Sequence, residues 1–195
     1  MFDTVKKNLS NLSLSPEELT TFLSFLTTKT IKKYDFFLKE GEVCNHVAFV
    51  NKGLVRFYFM KDGKEHVSDF KLTGEWISNY GSFLSKEKSL FYIDAMEDTE
   101  LYLLSYSDIQ KMYDLGKTYE RIGRLMVEQV FLRTINRHVS MLIHNPEERY
   151  VKLLEEKPYL FERVPLKQIA SMLGIEPESL SRIRKRVVNQ NKSLT

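Results

Sequence analysis

The chain has little cysteine, proline or tryptophan and no long apolar run. Its 195 residues include one cysteine, Cys44, five prolines and one tryptophan. A single cysteine excludes an internal disulfide and a cysteine-ligated zinc or iron–sulfur site within one chain, and it indicates a reducing compartment. No apolar run approaches the roughly 18 residues of a membrane span, and the N-terminal residues lack the apolar core of a signal peptide. The sequence therefore predicts a cytoplasmic protein without membrane attachment.

Motifs of catalysis and metal binding are also missing. The four histidines show no metal-ligand spacing. The chain has no nucleophile motif, no phosphate-binding loop and no carboxylate pair on one helix face. We therefore expect no enzyme activity, no metal site and no cofactor.

Positive charge is concentrated near the C-terminal end. The formal net charge is +3, but residues 163–192 hold seven Lys or Arg against two Glu, which is a segment charge of +5 and leaves −2 for the remainder. A basic patch confined to one segment is typical of a contact with nucleic-acid phosphates, whereas a solvated charged face more often mixes signs.

Residues 166–186 inside that basic segment have the pattern of a helix-turn-helix. Apolar residues at three- and four-residue steps place one face of a short first helix inward, and they are Leu166, Ile169, Ala170 and Leu173. Gly174 can end that helix in the left-handed region. Pro177 suits the first position of a second helix. An ordinary helical hairpin is the alternative, but it would not require the small residue, the glycine and the basic outer face together.

The N-terminal half changes from helix to strands. Ser15, Pro16 and Glu18 have the spacing of a helix cap. From residue 31 onward, short segments rich in Val, Phe and Tyr alternate with glycines, and Asp62-Gly63 between two such segments predicts a hairpin with a type I′ turn. Residues of about 30 to 105 therefore predict a small antiparallel barrel or jelly roll.

A long helix is predicted at residues 118–144, with apolar residues that suit a dimer. One stripe repeats at steps of three and four, and consists of Ile122, Leu125, Gln129, Leu132, Asn136, Val139 and Ile143. A second stripe consists of Met126, Val130, Phe131 and Ile135. We expect the first stripe to contact a twin subunit and the second to pack on the barrel; the alternative is a helix packed only on its own barrel.

A capped helix start at Asn145-Pro146 and a break at Pro158 lead into the basic segment. The predicted fold class is thus α+β, with an N-terminal antiparallel jelly roll, a long dimerisation helix and a C-terminal helix-turn-helix. The predicted domains are residues 1–116, 117–144 and 145–195.

This order of parts resembles the Crp/Fnr family of bacterial transcription regulators over nearly the whole chain. The residues that carry the resemblance are 53–59 with the following hairpin, Gly74 to Ile77, the long helix and residues 169–182. The resemblance implies a cyclic-nucleotide-binding-like effector domain, a homodimer and binding to a pseudo-palindromic site in double-stranded DNA. It also implies RNA polymerase as a partner.

The predicted effector site departs from the family pattern. Asn79 stands where the family has the glutamate that binds the ribose hydroxyl, and Ser89, followed by Leu90, replaces the arginine that neutralises the cyclic phosphate. A buried phosphate without a cation would lose a charge-assisted pair, so an effector other than a cyclic nucleotide is predicted. Aromatic residues either fill this cavity or favour an apolar effector. The candidate pocket residues are Trp76, Asn79, Tyr80, Ser89, Leu90 and Phe91.

The family pattern implies base contacts from the N-terminal half of the second helix. Glu178 can accept from a cytosine amino group and Arg182 can donate to guanine, whereas Pro177 occupies a slot that often holds arginine. Expected contacts with the DNA backbone come from Lys167, Gln168, Ser179, Ser181, Arg184, Lys185 and Arg186. Residues 187–195 are expected to form a tail, with the family's wing absent or halved.

The rival function is a sensor of a cyclic nucleotide or another small ligand that acts through protein partners and never touches DNA. The effector, the operator, the target genes and the sign of regulation are left open by the sequence.

Overall fold

The computed structural model describes residues 2–192 and divides them into two compact units. The first is built from the chain up to Glu128, and the second is built from Gln129 onward together with His66–Ser68.

The first unit begins with helix α1 (Asp3–Leu9), a short 3₁₀ helix (Ser10–Leu12) and helix α2 (Pro16–Ser24). The predicted cap of α2 is confirmed as a capping box. Ser15 Oγ accepts from the Glu18 amide at 3.1 Å, and Glu18 Oε2 accepts from the Ser15 amide at 2.8 Å. Helix α1 was not predicted because its cap position, Phe2, supplies no side-chain acceptor.

We expect Ser15→Ala to lower the free energy of unfolding by about 1 kcal/mol, because the Glu18 amide at the start of α2 loses its acceptor. Chemical denaturation of the native chain and the variant measures the difference. Asn11→Ala, at an exposed position inside the preceding 3₁₀ helix, is the matched control. An equal loss in both variants would contradict the role of the cap.

Eight strands form two four-stranded antiparallel sheets, as the jelly-roll prediction requires. They are β1 (Thr27–Ile31), β2 (Phe36–Leu38), β3 (His46–Lys52), β4 (Leu54–Lys61), β5 (Lys64–Leu72), β6 (Trp76–Ile77), β7 (Tyr92–Ala95) and β8 (Thr99–Ser105). The strand orders are β1-β8-β3-β6 and β2-β7-β4-β5. Asp62 and Gly63, with φ of 51° and 72°, join β4 to β5 in the left-handed conformations that a type I′ turn needs. The predicted hairpin is therefore confirmed.

A buried ion pair joins neighbouring strands β4 and β7. Arg56 donates from Nε and Nη2 to the two carboxylate oxygens of Asp94 at 3.0 and 2.7 Å, and from Nη1 to Glu65 at 2.6 Å. The Arg56 guanidinium also lies 4.1 Å from the ring centre of Tyr58. Burial, together with the Asp94 carboxylate, raises the pKa of Tyr58 to about 12, so this phenol stays neutral.

Seven more helices lie among the described residues. They are α3 (Tyr80–Ser85), α4 (Tyr106–Asp114), α5 (Lys117–Ile143), α6 (Pro146–Glu156), α7 (Leu160–Arg163), α8 (Leu166–Met172) and α9 (Pro177–Lys192). The 27 residues of α5 extend for about 40 Å. Among residues 2–192, none of these helices is long and apolar enough to cross a membrane.

The predicted tail after residue 186 is wrong for the part of the chain that the structure describes. Helix α9 continues to Lys192, because Val187 extends the buried stripe of Leu180 and Ile183 by one more turn. Residues 193–195 of the predicted tail lie outside the described range.

Candidate nucleic-acid interface and effector site

Helices α8 and α9 pack through small and branched apolar side chains. Ile169 and Ala170 of α8 are buried, as are Leu173 at its C-cap and Leu180 and Ile183 of α9. Ala170 has no exposed surface, so a larger side chain there would have to displace its neighbours. This packing fixes which face of α9 is left for solvent.

A Schellman motif forms the turn between the two helices. Gly174 has φ of 69°, and its amide donates to the Ser171 carbonyl at 3.0 Å while the Ile175 amide donates to the Ala170 carbonyl at 3.0 Å. Pro177 then begins α9, where its missing N–H costs nothing. Local sequence thus sets both ends of the turn as predicted.

The exposed face of α9 carries the two predicted base-reading residues. Glu178, Ser181, Arg182 and Lys185 are exposed, and their spacing of three, four and seven residues places them on one strip. The strip lies opposite the buried stripe through Leu180. A helix with such a strip can present acceptor and donor groups to base edges in a major groove.

The residues predicted to contact the DNA backbone differ in position and exposure. Lys185 and Ser181 share the strip with Arg182, whereas Arg184 and Arg186 are exposed on its flanks and Ser179 is half-buried. On α8, Lys167 is exposed, but Gln168 is half-buried and its Oε1 has no hydrogen-bond partner among the described residues.

One flanking arginine already has an acidic partner. Arg186 donates from Nε and Nη2 to Glu147 Oε2 at 2.8 and 2.7 Å. Both side chains line an open groove of about 770 Å³ between the first turn of α6 and α9, together with Arg182, whose Nη2 donates to Ser179 Oγ at 3.4 Å. A phosphate at this groove would have to compete with the Glu147 carboxylate for Arg186.

In the effector domain, Asn79 and Ser89 bond directly to each other. Asn79 Nδ2 donates to Ser89 Oγ at 2.7 Å, and Asn79 Oδ1 caps α3 by accepting from the Ser82 amide at 3.3 Å. Ser89 Oγ also donates to the Phe91 carbonyl at 2.8 Å, and Ser89 has 1% of its surface exposed. The two positions that the resemblance aligns with the family's charged ligand-binding residues therefore hold neutral groups that bond to each other.

The other candidate pocket residues do not all surround this pair. The Trp76 indole donates to Asn8 Oδ1 of α1 at 3.0 Å and packs edge-on against Phe49, so it belongs to the cluster beneath the N-terminal helices. Trp76 also packs against the barrel core that includes Phe83, so its place in the effector pocket stays a prediction. Leu90 is 72% exposed.

Two aromatic residues of the candidate pocket are packed against other rings. Tyr80 stacks on Phe83 with ring centres 5.7 Å apart, and burial raises the pKa of Tyr80. Phe91 meets Phe59 edge-on at 5.6 Å. The Lys86 ammonium lies 3.5 Å from the ring centre of Tyr106, where it forms a cation–π contact.

Helix α5 exposes a broad apolar surface along its C-terminal half. The most exposed apolar side chains there are Leu142 at 72%, Ile143 at 67%, Phe131 at 62% and Leu132 at 58%. In the second stripe, Met126 packs in the cluster beneath the N-terminal helices, whereas Val130, Phe131 and Ile135 are exposed. The packing of this stripe on the barrel stays a prediction. A contiguous apolar surface that stays exposed in a single chain is typical of an interaction site.

Members of the predicted dimer stripe differ in their surroundings. Ile122 is 2% exposed and packs with Phe22 in the cluster beneath the N-terminal helices, so it has no surface left for a partner. Leu125 is half-buried. The remaining five positions of the stripe are exposed, and they are Gln129, Leu132, Asn136, Val139 and Ile143.

Comparisons with known proteins agree with this architecture. Residues 28–115 match the family model of the cyclic nucleotide-binding domain. FixK2 from Bradyrhizobium japonicum superposes with a TM-score of 0.70 at 22% identity, covering 85% of this chain and 86% of that one. The c-di-GMP responsive regulator CLP from Xanthomonas campestris superposes with a TM-score of 0.68 at 18% identity, covering 91% and 93%. Comparison with curated protein sequences finds no match.

A third similar structure is a regulator of the Crp/Fnr family from Eubacterium rectale, with a TM-score of 0.67 at 17% identity over 93% of this chain and 87% of that one. The protein therefore combines a jelly roll that matches the cyclic nucleotide-binding model with a long helix and a helical C-terminal part. This is the fold of the Crp/Fnr transcription regulators. The predicted fold class is confirmed for its antiparallel jelly roll, long helix and C-terminal helices, and the helix-turn-helix stays a prediction.

Proposed function

We propose that the protein is a homodimeric, DNA-binding transcription regulator of the Crp/Fnr type that binds a pseudo-palindromic site. The observation that carries the proposal is the exposed strip of α9, on which Glu178, Arg182 and Lys185 lie opposite a buried apolar stripe. In this account α8 and α9 are a helix-turn-helix, and α9 enters the major groove. Arg182 and Glu178 read bases, while Lys185 contacts phosphate.

The exposed apolar surface of α5 supports a homodimer. A second copy of the same helix would cover Phe131, Ile135, Val139 and Leu142, which recur at steps of three and four and thus share one face. A dimer doubles the number of DNA contacts, which matters here because the described residues from Pro177 to Lys192 are all in α9 and include no wing hairpin.

Gel shifts with genomic fragments, in the presence of excess nonspecific competitor, test the function. The proposal expects a small set of fragments to be retarded by two chains each. A protein that acts only through protein partners would retard none of them above the level of random DNA.

For the effector, the proposal is a ligand that is not a cyclic nucleotide, or none. The support is the Asn79–Ser89 hydrogen bond, which places neutral groups where a phosphate would need a cation. We expect millimolar cyclic AMP, cyclic GMP or c-di-GMP to leave the melting temperature unchanged. A ligand present at 100 times its Kd would add about 2.7 kcal/mol of stability, which calorimetry detects readily. A saturable upward shift with any of the three would contradict this part of the proposal.

A further inference from the structure

Two carbonyl groups at the end of α8 are bonded from outside the α8–α9 pair. A helix leaves its last four carbonyls without partners in the helix. Here the amides of Ile175 and Gly174 satisfy the carbonyls of Ala170 and Ser171 through the Schellman motif. The carbonyls of the next two residues, at positions 172 and 173, are left for other donors.

Both remaining carbonyls accept from arginine side chains. Arg137 Nη2, from α5, donates to the Met172 carbonyl at 3.4 Å, and Arg149 Nη2, from α6, donates to the Leu173 carbonyl at 3.0 Å. The partial negative charge at a helix C-terminus strengthens each of these bonds. All four terminal carbonyls of α8 are thus accounted for.

Arg149 also reaches the end of α5. Its Nη1 donates to the His144 carbonyl at 2.5 Å, one residue after α5 ends at Ile143. One planar guanidinium therefore bridges the C-terminal ends of two helices, a geometry that the single ammonium of lysine cannot reproduce. The side chain of Met141, from α5, lies beside Gly174. Its terminal methyl would be 3.0 Å from a Cβ placed at that glycine.

We propose that Arg149 and Arg137 are positioning residues that hold α8 and α9 at a fixed orientation to α5, and so set the spacing at which a dimer presents its two α9 helices. This inference rests on the proposed function. Neither residue lies on the exposed strip of α9, so neither is a DNA contact in this account.

We call this positioning of α8 and α9 by Arg149 and Arg137 the clamp. A distance measurement within one chain tests it without DNA. In a Cys44→Ser background, spin labels at Thr134→Cys on α5 and Ser181→Cys on α9 report the orientation by double electron–electron resonance. Labelled chains are diluted with unlabelled ones so that only distances within a chain are seen. We expect one narrow distance distribution, broadened by Arg149→Met and by Arg149→Lys. Lys152→Met, with the same charge change on the same helix, should leave it narrow.

DNA binding by the full-length chain gives the functional readout. The duplexes carry one half-site, two half-sites at the selected spacing, or two half-sites with the spacing changed by two base pairs. For Arg149→Met we expect about a tenfold loss at the selected spacing, little change on the single half-site, and loss of the preference between spacings. Arg137→Met should show the same pattern more weakly, because its hydrogen bond is longer.

The possible results separate the two proposals. A native distance distribution and native spacing preference in Arg149→Met would overturn the clamp. So would an equal loss on the single half-site, which would mean local unfolding; circular dichroism melts of Arg149→Lys check that case. If the native chain binds no DNA but its distance distribution broadens with Arg149→Met, the clamp stands and the proposed function fails.

Discussion

Arg182→Ala is expected to weaken binding to the selected DNA site by about 10- to 100-fold while leaving binding to scrambled DNA unchanged. The physical reason is the loss of a bidentate contact to a base, which contributes roughly 1 to 3 kcal/mol of discrimination. Arg182 is exposed on α9, and among the described residues its guanidinium gives up a long hydrogen bond to Ser179, at 3.4 Å, on binding. Fluorescence anisotropy on the two duplexes measures the effect.

Lys185→Ala is the matched control for Arg182→Ala, because it removes one positive charge from the same strip. A phosphate contact should be lost equally on both duplexes, and the slope of log affinity against log salt should fall by about one unit. Equal losses on both duplexes for Arg182→Ala would contradict its role as a base reader.

Leu142→Glu is expected to convert a dimer into a monomer and to reduce affinity for the paired site by 100-fold or more. The side chain is 72% exposed in the single chain, so the substitution leaves the fold of the chain intact and acts only where a partner would cover it. A carboxylate buried at an apolar interface without a cation costs several kcal/mol. Analytical ultracentrifugation gives the oligomeric state, and a gel shift gives the affinity.

Leu84→Glu is the control for this surface, because Leu84 is 55% exposed and belongs to a different helix, α3. It adds the same charge and should leave both the mass and the DNA affinity unchanged. A Leu142→Glu chain that sediments like the native protein would show that this face of α5 does not form the dimer.

Local signals predicted the element boundaries well, because caps act over a few residues. Ser15, Asn145 and Pro177 each begin a helix where the sequence placed one, and Gly174 ends one. The six-residue helix α3 was missed. Asn79 supplies its cap, but one and a half turns are too short for an apolar period to show.

Interactions between distant residues were not predictable from the sequence. Arg186 and Glu147 are 39 positions apart, and Arg149 and Leu173 are 24 apart, so no spacing rule connects them. Arg186 is predicted to contact phosphate from its charge alone. Arg137 and Arg149 have no predicted role, because carbonyl acceptors leave no trace in the side-chain pattern.

The packing of the long helix was also not predictable from the sequence, for a different reason. Apolar residues surround most of α5, so two stripes were equally compatible with the sequence, and the choice of which one faces the barrel depended on the tertiary fold. The structure buries Ile122 in the first unit and leaves both stripes exposed further along. We therefore centre the proposed dimer contact on Phe131, Ile135, Val139 and Leu142.

Selection of binding sites from a pool of random DNA duplexes, followed by sequencing, tests the central claim most directly. A dimer with one α9 helix in each of two successive major grooves should enrich an inverted repeat whose half-sites are about one helical turn apart, or a multiple of it. Guanine should be fixed at one position of each half-site, and the Arg182→Ala chain should lose that preference. Enrichment of no sequence, or of a single unpaired half-site, would contradict the account.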